Sequence, residues 1–145
     1  MDTRLVVTAS FVAALVAGAI FAGGAVASDV TFTSGQDAFV AGVGFGGSFV
    51  GLVLLWFRNY VYGSALYTLS MVSTSWFVAY FFVVHDNPAS VFAVTGSGRP
   101  AYAMGVAGLF VVTLIGSLVG GWVWYRSSPG FRTVLHGLVG TDRSS

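Results

Sequence analysis

Four apolar stretches without a single charged side chain decide what this chain can become: Leu5 to Ala27, Ala38 to Phe57, Val61 to Val84 and Tyr102 to Tyr125. Each is long enough to cross the hydrocarbon core of a bilayer as an α-helix, which takes about 20 residues. Charged residues make up only 8% of the chain, against about a quarter in an ordinary soluble domain, so water cannot be the solvent for most of its surface. The sequence therefore predicts an all-α integral membrane protein: one transmembrane domain over residues 1–145, built as a four-helix bundle.

The segments between these stretches carry the turn chemistry. Ser34 precedes Asp37 by three residues, the spacing of a capping box for the second helix, and Asn59 is placed to cap the third. Pro100 suits the first turn of the fourth, where a missing N–H costs nothing. Only the Arg58-Asn59-Tyr60 step separates the second and third stretches, which forces a tight antiparallel hairpin. The residues after Asn87-Pro88, with Val91, Phe92 and Val94, are read as a turn or two of helix.

Arginines set the expected orientation. With the N-terminus in the cytoplasm, Arg4, Arg58, Arg126, Arg132 and Arg143 fall inside and only Arg99 outside, an N-in, C-in topology. Trp56, Tyr60 and Tyr62, and Trp122, Trp124 and Tyr125, form aromatic belts at the inner ends. Beyond them Phe131, Val134, Leu135, Leu138 and Val139 recur at helical spacing, so a short amphipathic cytoplasmic surface helix is expected over about residues 129–139, opened by Ser128-Pro129 and stopped by Gly140. Ala25-Val26-Ala27 before Ser28 also resembles a signal-peptide cleavage site. The apolar run before it exceeds the 7 to 15 residues usual for such a peptide, so the first stretch is expected to be retained.

Missing residue types exclude whole chemistries. All six basic residues are Arg and all five acidic ones Asp, and the chain has no Lys, Glu or Cys. Schiff bases, P-loops, disulfides, thiolate metal sites and covalent haem all need what is absent. A net charge of +1 without a basic run argues against nucleic acid as a partner. His85 and His136 are expected on opposite sides of the membrane, where they cannot share a haem. His85, Asp86, Asp29 and Asp37 share the outer side without a metal-ligand spacing. No catalytic set, metal or resident cofactor is expected. Arg without Lys and Asp without Glu is the usage of a GC-rich or halophilic prokaryote, which places the chain in a prokaryotic cell membrane.

Helix contacts are legible in the small residues, because helices in lipid associate where backbones approach closely. Gly42 and Gly46 share one side of the second helix, and Gly47 and Gly51 lie with Gly44 on the other. The fourth carries Gly105, Gly116 and Gly120 on one side. Ser64, Thr68 and Ser75 stripe one side of the third helix, and Tyr67, Ser70 and Thr74 another, so the second and third helices are expected to be central and the first and fourth to flank them. The function these features imply is a non-enzymatic structural or accessory subunit, held to other membrane subunits or to copies of itself. Two alternatives follow from the same residues: a small oligomeric channel or uncoupled transporter lined by Ser64, Thr68 and Ser75, and an apolar ligand such as a quinone stacked on Trp76, Tyr80 and Phe81.

Overall fold

The computed structural model describes residues 1–140, and the expected cytoplasmic Arg143 lies outside them. Four helices are long and apolar enough to cross a membrane: α1 (Thr3–Ala27), α2 (Ser34–Trp56), α3 (Tyr60–Val84) and α4 (Arg99–Ser127). A fifth, α5 (Pro129–Val139), follows α4 after one residue. No strand occurs among the described residues.

Local chemistry starts each helix. The Asp2 carboxylate caps α1 by accepting from the Arg4 N–H, Asn59 accepts from the Tyr62 N–H, and Ser128 accepts from the Phe131 N–H beside Pro129. The capping box of α2 sits one residue earlier than Ser34 and Asp37 would put it. Thr33 Oγ1 accepts from the Gln36 N–H, and Gln36 Oε1 accepts from the Thr33 N–H at 3.0 Å. Both T-x-x-Q and S-x-x-D match the pattern, and the amide completes both halves without bringing a charge to a buried position.

Two helices end in the same way. Asp29 and Arg58 take left-handed backbone angles, φ 53° and 64°, and the N–H groups at each position and the next close back on the preceding turn. This is the Schellman arrangement, which usually has glycine at that position. At Arg58 it reverses the chain within the three-residue α2–α3 hairpin.

The order of packing differs from the expected one. α1 lies along α4, α4 along α3, and α3 along α2, while α1 and α2 touch much less. The central pair is therefore α3 and α4, not α2 and α3. The reason lies in α4, whose small face serves two neighbours: Gly105 lies against Phe21 of α1, and Gly116 and Gly120 lie against Met71 and Thr68 of α3. α3 is central as expected, with Ser70, Thr74 and the Tyr67 backbone against α2, and Thr68, Met71 and the Tyr67 ring against α4.

α2 is wound irregularly. Over Phe39–Gly47 it follows the wider π-helical course before returning to α-helix, and α3 does the same over Tyr80–Val84, where the His85 N–H reaches the Tyr80 carbonyl. The loop from His85 to Gly98 forms hydrogen-bonded turns instead of the expected helical turns. It tucks Ala89, Ser90 and Val94 into the end of the bundle. The buried Tyr102 hydroxyl holds it there by donating to the Ala89 carbonyl at 2.5 Å, since a buried phenol needs a partner.

Candidate functional site

Two ends of the bundle differ in chemistry. Thr3, Tyr60 and Arg126 meet around one small cavity, which puts the start of α1, the α2–α3 hairpin and the end of α4 together. Here Arg4 lies 4.8 Å over the Trp56 ring and pairs with Asp2 at 2.8 Å. That guanidinium holds the Asp2 carboxyl below its usual range. Trp56 donates to Thr8 Oγ1 at 3.1 Å, Trp124 stacks on Phe131 at 3.9 Å, and the Tyr125 hydroxyl and His136 Nε2 are 2.9 Å apart. The expected belt aromatics thus tie helix ends to one another and fix α5 against α4.

The opposite end is looser. A cavity of about 490 Å³ opens between α1 and α2, walled by Phe21, Ala22, Val40 and Phe45, with Gln36 and Asp37 at its end. A second, of about 420 Å³, lies between the start of α2 and the end of α3, lined by Phe39, Phe77, Phe81 and His85 with Thr33, Gln36 and Asn87. Gln36 lines both. Among the described residues no three His or Asp side chains gather to hold a metal ion, and His85 and His136 sit at opposite ends.

The small residues divide into those used inside the chain and those that are not. A Cβ placed on Gly51 would lie 2.7 Å from the Tyr67 nitrogen and 2.9 Å from the Gly63 carbonyl oxygen. α2 and α3 cross there backbone to backbone. Similar additions would meet Thr74 at Gly44, Ser70 at Gly47, the Met71 sulfur at Gly116 and Thr68 at Gly120. Gly42 has nothing within 4 Å, and Gly46 meets only the Ala41 carbonyl of its own helix. Their side of α2 faces away from the bundle, and Val43, Phe49 and Val50 are also exposed on this helix.

The hydroxyls lie inside the chain. Ser64, Thr68 and Ser75 are buried. Ser64 donates to the Tyr60 carbonyl and Thr68 to the Ser64 carbonyl, bonds within their own helix. Trp76 and Tyr80 are not with them: they stack on each other at 5.3 Å on the outside of α3, with Trp76 62% exposed. An aromatic ring set against a helix glycine is found at Phe45, which lies against Gly18 of α1.

Sequence reasoning placed Tyr67 on a stripe of the third helix but not its partner, and it missed Gln36. Tyr67 is fully buried and its hydroxyl lies 2.6 Å from Ser10 Oγ of α1, a contact between residues far apart in sequence. Gln36 left a local signal, the Thr33-x-x-Gln36 spacing. No protein-family model, curated protein or solved structure matches this chain.

Proposed function

We propose that this protein is a non-enzymatic subunit of a membrane complex and that the outward face of α2, centred on Gly42 and Gly46, receives a helix of a partner subunit. The observation that carries this reading is the division of the glycines along α2: Gly44, Gly47 and Gly51 are consumed against α3, while a side chain added at Gly42 or Gly46 would meet no other helix among the described residues. Small residues on an open helix side let a second backbone approach closely, and packing of that sort drives helix association in lipid.

The chain is read as embedded N-in, C-in in a prokaryotic cell membrane. Arg4, Arg58, Arg126 and Arg132 then face the cytoplasm with Arg99 outside, and α5 lies in the interface with Val134 toward the acyl chains and Arg132 toward phosphate. Retention of α1 is supported by its place in the core, where Val7, Phe11 and Phe21 are buried. A hydroxyl-lined oligomeric pore is the weaker reading, because Ser64, Thr68 and Ser75 are spent in intramolecular packing.

Extraction from native membrane in polymer-bounded discs, followed by mass spectrometry, tests the proposal. A stoichiometric membrane partner is expected with the wild type, and its loss with the Gly42→Leu, Gly46→Leu double variant. A lone chain that makes liposomes permeable to a defined solute would replace the subunit reading with the pore. A cysteine at Asp37, in a chain that otherwise has none, is expected to label only from outside.

A further inference from the structure

Gln36 is built into the fold by one of its two polar atoms only. The capping box fixes its orientation, since Oε1 must face the Thr33 N–H, and Nε2 then donates to nothing among the described residues. The residue is only 9% exposed. With no partner inside the described chain, the Gln36 amide on the wall of this cavity has N–H donors to offer to whatever occupies it.

The rest of that cavity describes the occupant. Phe39 and Phe77 stack at 4.3 Å with an interplanar angle of 13°, and Phe81 lies 4.5 Å from Phe77. His85 closes the rim 5.7 Å from Phe81, and its ring nitrogens have no hydrogen bond among the described residues. Phenyl walls accept a flat ring. The volume of about 420 Å³ lies within the roughly 300–1,000 Å³ of small-molecule sites. Next to it, through the Tyr80–Phe81 contact at 5.0 Å, runs the exposed Trp76–Tyr80 stack, an apolar wall for a chain lying in the membrane.

We infer that this cavity binds the head group of a membrane quinone. One ring carbonyl accepts from Gln36 Nε2, the ring lies among Phe39, Phe77 and Phe81, His85 hydrogen-bonds the substituted edge at the rim, and the tail leaves along Trp76 and Tyr80. A carotenoid hydrocarbon offers Gln36 no acceptor. A phospholipid ester offers a carbonyl but no ring for the phenyl walls. The inference rests on the membrane placement proposed above and is independent of the α2 docking face.

The test is a titration of the full chain, in discs of defined phosphatidylcholine, with a decyl-substituted benzoquinone, followed by quenching of tryptophan fluorescence. Saturable quenching is expected, and Trp76→Phe should remove most of it because Trp56, Trp122 and Trp124 lie at the other end of the bundle. Gln36→Glu keeps the acceptor that caps the Thr33 N–H and deletes both N–H donors. At pH 8 it should weaken binding at least tenfold while a folded thermal transition is retained. His85→Ala, at an exposed position, should weaken it severalfold and decides the matter if Gln36→Glu fails to fold. Quenching that rises linearly with quinone, the mark of partition into lipid alone, would overturn the site, as would equal affinity in both variants. Gly42→Leu, Gly46→Leu should bind quinone normally, so loss of the partner and loss of the ligand are read separately.

Discussion

The two sides of α2 are made of the same residue and do opposite things. On one, Gly44, Gly47 and Gly51 let α3 approach until backbone meets backbone. On the other, Gly42 and Gly46 face no other helix among the described residues. Glycine in a helix interior is destabilising by roughly 0.5–1 kcal/mol relative to alanine, so a glycine on an unused face is a cost without return inside the monomer. The packed side shows what such a cost is for: dispersion contacts that only a missing side chain permits. We read the open side as the same device awaiting a partner.

Substitutions should separate the two sides by size of effect. Gly51→Leu, and likewise Gly63→Leu, should be the most damaging, at more than about 3 kcal/mol, because the obstructing atoms are the Tyr67 nitrogen and the opposing glycine's carbonyl oxygen, or the Leu55 nitrogen at 2.8 Å from the Gly63 position. Backbone cannot rotate away as a side chain can. Thermal unfolding in detergent should show loss of a folded transition for either variant. Gly44→Leu meets mainly the Thr74 side chain, at 2.9 Å from its oxygen; it should cost about 1–3 kcal/mol, read as a lowered Tm with folding preserved. Gly42→Leu and Gly46→Leu should leave the isolated protein as stable as the wild type or more stable by up to about 1 kcal/mol each. If they destabilised the purified monomer as Gly44→Leu does, the distinction between the two sides would collapse.

The sequence carried the helices well and their neighbours poorly. Uncharged length, Asn59, Pro100 and Ser128-Pro129 sufficed to place helices and caps, because those signals are local. Wheel positions also separated Gly42 and Gly46 from Gly44, Gly47 and Gly51. What a wheel cannot say is which helix stands opposite. Gly105, Gly116 and Gly120 share one side of α4 yet meet α1 at one depth and α3 at another, and this makes α4 central. The same holds for Tyr67 and Ser10, joined across the bundle, and for the aromatic cavity, where Phe39 of α2 meets Phe77 of α3. Gln36 was hidden for a different reason: Ser34 and Asp37 offered an equally good cap one residue later.

Residue-by-residue crosslinking in native membrane tests the central claim most directly. A photoreactive side chain introduced at Gly42 or Gly46 is expected to give one discrete protein adduct, while the same group at Leu118, exposed on α4, should give lipid adducts only. Lipid adducts alone at Gly42 and Gly46, at the level seen for Leu118, would contradict the claim that the open side of α2 is a docking face.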